Sequence, residues 1–350
     1  MRICKIAIMM LLFCLMLLYL GENTGVAELL GEEDTPKQRG PISIRNQMPL
    51  YLFYLQMVPD KADVTKRNRF TINADYTVSN ITVSAFTPVT SLYEIEIDME
   101  VSRVTLDFRY GLYDNLEIGL EVPYLDLSRG YLDNPIEAFE DGTGARTPRS
   151  RERQGSYNFE YTFRYNYKYY IRQTESTEGL GDIVLNAKYQ LLKEGRFWPN
   201  ISMRSAIKFP TAEKDDFLGS GEVDYGVGLL IDKGFFGRLF IYTGGNIAFI
   251  EKPSFFSEIG IDKEILSFLL ALEFFVTERF SLVTQVTGNT TPYPYSNTNP
   301  LDNKAYDMGV GFNYTWKEKS NISWRFAVFE NISAASSPDV SLKTGLSWKF

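Results

Sequence analysis

The sequence predicts an all-β fold: an antiparallel transmembrane barrel of about twelve strands preceded by an N-terminal segment. Three observations predict it. The chain ends on an alternation in which Val340, Leu342, Thr344, Leu346, Trp348 and Phe350 share one strand face. Ser341, Lys343, Gly345, Ser347 and Lys349 share the other. Segments with the same period of two recur along the chain, each near the ~10 residues that cross a bilayer when tilted. The links between them alternate strictly between short and long, as tight periplasmic turns answer longer external loops. A soluble sandwich shows the same alternation within strands but has no reason to sort its loops.

Residues 1–27 read as a signal peptide. Arg2 and Lys5 make a basic start, Ile6 to Leu20 is an apolar run, and Gly25-Val26-Ala27 is a small-residue cleavage site. An apolar run of ~15 residues is short for a membrane anchor. Phe13 stands before Cys14 where a lipoprotein signal needs a small residue, which argues against lipidation. Cys4 and Cys14 both lie in this segment, so a mature chain beginning at Glu28 has no thiol or disulfide. Residues 28–66 form a second unit, polar up to Gly40 and then apolar from Leu50 to Leu55. Two readings stay open for it, a periplasmic tether and a plug folded into the lumen.

Residues 67–350 hold the barrel. Strands are expected near 69–79, 91–111, 115–125, 181–193, 198–209, 221–233, 238–250, 264–276, 279–289, 304–316, 320–330 and 340–350. Between residues 91 and 111 the apolar phase changes from Val101 to Val104, which predicts a bulge near Ser102 and Arg103. The large external loop spans 127–179. Within it, Asp133-Asn134-Pro135 suggests one or two helical turns. An unbroken aromatic alternation from Tyr157 to Tyr169 is expected as an external hairpin turning near Arg164–Asn166. The alternative is a barrel of fourteen strands.

Composition excludes several function classes. The whole chain has a net charge of −8, from 36 basic and 44 acidic residues. Removing residues 1–27 takes away two basic residues and one acidic residue, leaving −9. This argues against a nucleic-acid partner, which needs a basic surface. The chain contains no histidine, which removes the commonest general base and metal ligand. Gly219-Ser220-Gly221 and Gly179-Leu180-Gly181-Asp182 lead into no helix and precede no Walker lysine, so they read as turns rather than phosphate loops. The chain is therefore read as no enzyme, with no cofactor and no metal site.

The strand phases assign charges to the lumen. Asp75, Glu94, Glu96, Asp98, Glu117 and Glu121, with Glu100, make an acidic wall on the first three strands. Arg204, Lys208, Arg325 and Lys343, with Lys349, come from strands elsewhere. Two consequences stay open. Opposed walls create a transverse field that orders solutes in a pore, or the groups only pair with one another inside a narrow barrel.

Several stretches resemble a bacterial outer-membrane family known only as a domain of unknown function, number 3187. They are Gly40-Pro41 with Arg45-Asn46-Gln47 and Pro49-Leu50, Arg109 to Glu117, Glu121-Val122-Pro123, Leu132-Asp133 with Phe139, Gly179 to Asp182, and Leu218 to Gly221 with Asp224. The family carries no assigned activity. This chain lacks the histidine expected beside Phe139. More distantly the plan is similar to barrels that take hydrocarbon- or phenol-type compounds across the outer membrane. The resemblance implies a Gram-negative outer-membrane location and passive passage of a small, hydrophobic solute of unknown identity. Expected partners are outer-membrane lipid and lipopolysaccharide. The terminal residues Leu346, Trp348 and Phe350 resemble the signal read by the barrel-assembly machinery. The rival reading is a structural or adhesive barrel acting through its external loops, with the aromatic segment 157–170 as contact surface.

Overall fold

The computed structural model describes residues 38–87, 92–132, 159–299, 301–316, 321–332 and 336–350. The expected signal peptide, the helical turns at Asp133-Asn134-Pro135 and the short link at 317–320 lie outside these residues. Among the described residues fifteen strands form one sheet: β1 (Phe70–Phe86), β2 (Tyr93–Tyr113), β3 (Leu116–Ser128), β4 (Glu160–Tyr165), β5 (Lys168–Gln173), β6 (Thr177–Leu180), β7 (Ile183–Leu192) and β8 (Asn200–Phe209) come first. Then come β9 (Asp224–Phe235), β10 (Leu239–Phe249), β11 (Glu264–Thr277), β12 (Phe280–Asn289), β13 (Ala305–Thr315), β14 (Ile322–Asn331) and β15 (Val340–Lys349).

Three short strands, β4, β5 and β6, are additions, and the other twelve close into an antiparallel barrel. Closure is made where β1 meets β15, with Ile72 opposite Trp348 and Ala74 opposite Leu346. A closed sheet leaves no unpaired edge, so every barrel strand spends its main-chain groups on two neighbours. The outward face is apolar, as Leu106, Phe108, Ile118, Leu120, Leu229 and Leu270 illustrate, all of them exposed.

The tight links, such as Asp114–Asn115 and Glu278–Arg279, gather at one end with Phe350; this is the turn end. The longer connections gather at the opposite, loop end. β1 and β2 rise past their neighbours there, with 17 and 21 residues against the ~10 a bilayer needs. The upper part of β2, from Tyr93 to Asp98, pairs with β4 while its lower part pairs with β3. The aromatic segment is the β4–β5 hairpin, and it turns at Asn166 and Tyr167, both at positive φ. Two such residues in succession give the turn whose twist suits a two-residue hairpin.

The bulge expected near Ser102 and Arg103 is absent. The β1–β2 register runs unbroken from Phe70 opposite Tyr110 to Phe86 opposite Glu94, and the irregularity of β2 against β3 falls at Gly111 to Tyr113. The strand keeps its phase while its two surroundings exchange. Low on β2 the outward residues are Val104, Leu106 and Phe108, and the inward ones Arg103, Thr105 and Arg109. High on β2 the inward residues are Ile95, Ile97 and Met99, buried in an apolar core at the loop end.

Candidate functional site

Residues 38–65 run inside the barrel along its whole height, and residues 66–69, exposed at the turn end, join them to β1. Arg39 lies at the turn end, where it donates to the Glu278 carbonyl at 2.6 Å. Ile42 is held midway by Gln285, and the Asn46 amide reaches the Ser336 carbonyl at the loop end. There the chain reverses through a single helical turn, α1 (Pro49–Leu52). Proline in the first turn fits because its missing N–H has no helical partner to lose. The return passes Arg204, then Lys188, then Glu117, and joins β1 at Phe70.

The reversal is apolar because it lands in the loop-end core. Leu50, Tyr51, Phe53, Tyr54 and Leu55 are all buried. Phe53 meets Phe255 and Phe256 edge-on at 5.3 and 5.9 Å between centroids. Tyr54 bonds the Tyr293 hydroxyl at 3.1 Å, and Tyr293 in turn donates to the Leu50 carbonyl at 3.3 Å. Phe163 of β4 stacks on Phe256 at 5.3 Å, so the hairpin roofs this cluster. Gly226 leaves room for it: a Cβ there would lie 2.6 Å from the Met57 sulfur and 3.0 Å from Leu55.

Below this roof the lumen is polar and neutralised by pairs. Lys188 sits between Asp60 of the inner segment at 2.9 Å and Glu117 of the wall at 3.2 Å. Arg109 adds contacts to Asp60 at 2.8 Å and Asp107 at 2.7 Å. Burial alone would raise the Asp60 carboxyl, but Arg109, Lys188 and Arg204 around it hold it well below the usual carboxylate range. Glu121 takes Arg45 of the segment and also Arg103 at 3.1 Å. Between the segment and the wall remain cavities of about 70 and 50 Å³, room for a few waters each.

The charges assigned to the lumen now have positions, with Lys349 exposed at the turn end. Asp75 faces inward and pairs with Lys343 at 3.0 Å and Arg325 at 3.1 Å across the β1–β15 seam. Glu117 and Glu121 face inward as above. Arg204 faces inward and donates to the Val58 carbonyl at 2.7 Å. Lys208 faces inward and bonds Asp182 at 2.7 Å and Asp224 at 3.4 Å, next to Ser220 at 2.7 Å. Glu94, Glu96 and Asp98 do not face the lumen, and the assignment of these three is corrected. They share a face with Val104 and Leu106 and stand on the outer side of the tall β1–β2 hairpin. Glu94 pairs there with Arg164, and Glu96 accepts from Ser84 at 2.7 Å. Glu100 lies on that same face, against the main chain of Leu132. The apparent change of phase came from assuming that the apolar face always points out, whereas above the barrel it points in.

Acidic and basic groups therefore interleave rather than forming opposed walls. The sequence reading missed Arg45, Asp60, Arg103 and Lys188 as partners. Lys188 had a signal, being a lone cation in phase with Val184 and Asn186 and out of phase with Leu185 and Tyr189. Asp60 had none, since nothing local shows that an irregular segment is inserted between strands.

Comparison with known proteins follows this geometry. Among solved structures the chain is similar to the COG4313 outer membrane channel from Pseudomonas putida F1, at 14% identity and a TM-score of 0.56, covering 84% of this chain and 100% of that one. At this identity the likeness speaks to the fold alone. The KdgM porin (8% identity, TM-score 0.42, covering 80% and 99%) and the Pseudomonas putida toluene transporter TodX (9%, 0.36, 81% and 89%) are weaker matches that carry no argument. No curated protein sequence matches the chain. The family described as a protein of unknown function, DUF3187, matches residues 18–350, and the chain belongs to that family.

Proposed function

We propose that this chain is an outer-membrane barrel that passes a small apolar solute passively and is held closed by residues 38–65. The observation that carries the reading is the filled lumen: among the described residues, the cavities between the inner segment and the Arg109–Lys188 and Arg204–Asn246 parts of the wall hold about 70 and 50 Å³. A barrel of twelve strands lies between those of ~8, which fill with side chains, and those of ~16, which leave open channels, so the inner segment decides whether this one conducts. The buried aromatic cluster around Phe53, Tyr54, Phe256 and Tyr293 favours an apolar solute, because such a surface recruits one without desolvating charge. The signal peptide at 1–27 directs the chain to the Gram-negative outer membrane in this reading. Leu346, Trp348 and Phe350 serve the assembly machinery, and the turn end is periplasmic.

Planar-bilayer conductance tests it. The whole chain is expected to show little conductance, and a variant lacking residues 38–66 a steady, larger one. The adhesive reading rests on the exposed Tyr167 and Tyr169 of the β4–β5 hairpin. It is favoured instead if neither form conducts while both remain heat-modifiable on unboiled gels.

A further inference from the structure

A buried main-chain N–H or C=O needs a partner, and the barrel strands have used theirs on one another. An irregular segment inside a closed sheet is bonded by inward side chains of the wall or by its own groups, as Gln56 bonds Asn46 and Tyr51. The wall supplies its side chains in pairs. Gln285 takes Ile42 from both sides, accepting from its N–H at 2.8 Å and donating to its C=O at 2.9 Å. Asp232 accepts from the Ala62 N–H at 2.6 Å while Ser202 donates to the Ala62 C=O at 2.5 Å. Glu273 accepts from the Arg39 and Gly40 N–H groups at 3.1 Å each, and Asn313 donates to the Gly40 C=O at 3.3 Å. Arg204 donates to the carbonyls of Val58 and Met57, and Glu117 accepts from the Thr65 N–H at 2.7 Å.

These contacts use atoms that every residue carries. Ile42 and Ala62 bring only apolar side chains to the two best-bonded positions. Side chains of the segment add polar contacts of their own: Arg39 on the Glu278 carbonyl, Ser43 on Asp75, Arg45 on Glu121, Asn46 on the Ser336 carbonyl, Tyr54 on Tyr293, and Asp60 on Lys188 and Arg109. The wall holds a chain that reverses once, and its inward side chains bond the main chain of both arms. We propose that the lumen is a binding site for a polypeptide of this reversing shape, read chiefly through its main chain. Residues 38–65 are its occupant in cis and exchange for a second peptide of the same shape offered in trans. That peptide carries small or apolar side chains where Ile42 and Ala62 lie, a cation facing Glu121 and an anion facing Lys188. The inference does not depend on which solute, if any, the barrel passes.

The experiment starts from the whole chain, folded first, with a specific protease site inserted after Lys66, which is exposed at the turn end. Cutting there frees the occupant from the barrel without asking the barrel to fold alone. The probe is a fluorescent synthetic peptide of residues 38–65. It is expected to enter the cut barrel saturably and to be displaced by its unlabelled form. A depsipeptide, with ester oxygens in place of the Ile42 and Ala62 N–H groups, removes two donors and adds no bulk. It is expected to bind about tenfold or more weakly, because Gln285 and Asp232 each lose a donor in a buried site. The barrel variant Gln285→Leu is expected to weaken the parent peptide in the same direction. A cut segment that never exchanges while the barrel stays heat-modifiable would overturn the proposal. So would a depsipeptide that binds as tightly as its parent.

Discussion

At the scale of single residues, Lys188 shows why the lumen is charged at all. It is buried with its ammonium between Asp60 and Glu117, so its removal leaves two carboxylates with Arg109 and Arg204 to compensate them. Breaking a buried pair from one side costs about 3–5 kcal/mol, far more than an exposed pair would. Lys188→Met is therefore expected to lower stability in urea by that amount, and adding Glu117→Gln to recover part of it. Equal losses in the single and double variants would show that the pairing does not matter. Charges such as Asp75 and Lys343 were legible in the sequence as lone ionised side chains on the face opposite the apolar one, while Lys188, which had the same signal, was missed. Their partners were not, because pairing depends on which strands meet and on a segment distant in sequence. The seam between Asp75 and Lys343 is one such pair, brought together only by closure of the first strand on the last.

At the scale of elements, strand positions followed from periodicity, since a strand with one face against lipid must alternate. The inward direction of one half-strand did not follow. On β2 the rule that apolar residues face out holds from Val104 to Phe108 and reverses above Val101, where the inner side is an aromatic core and the outer side carries Glu94, Glu96, Asp98 and Glu100. Glu96→Gln and Asp98→Asn together are accordingly expected to leave the ion preference of an opened barrel unchanged in reversal-potential measurements. A shift of that potential toward anions would return these residues to the lumen. The inner segment has its own sensitive point at Gly111. A Cβ there would lie 2.1 Å from the Lys66 carbonyl oxygen and 2.4 Å from that of Thr65, both main-chain atoms that no rotamer change can move. Gly111→Val is expected to push the segment off the wall near β1 and to expose the Lys66–Arg69 stretch to trypsin several-fold faster. Cleavage at the wild-type rate would show that the segment does not pass so close.

At the scale of the whole molecule, a closed sheet with an apolar belt and a polar, occupied interior is one cooperative object. Its closure depends on β15, where Trp348 stands between Ile72 and Ile322. Trp348→Asp is expected to abolish the heat-modifiable band, because a carboxylate on the outward face at the seam is costly where lipid is the solvent. An unchanged band would separate the terminal alternation from assembly. The barrel could be read from the chain because its grammar is local, two residues at a time. The filling of its lumen was one of two readings and could not be decided from the chain, because the segment from Gln38 to Arg69 has no repeating pattern and takes its shape from the wall. That filling is the central claim, and thiol labelling tests it most directly. In a chain with Cys4 and Cys14 replaced, Ile42→Cys, Ala62→Cys and Lys66→Cys each introduce a single thiol. Ile42 and Ala62 are buried against Gln285 and Ser202, while Lys66 is exposed. A membrane-impermeant thiol reagent added to the folded protein is expected to label position 66 readily and positions 42 and 62 only after unfolding. Equal labelling of all three in the folded protein would contradict the account.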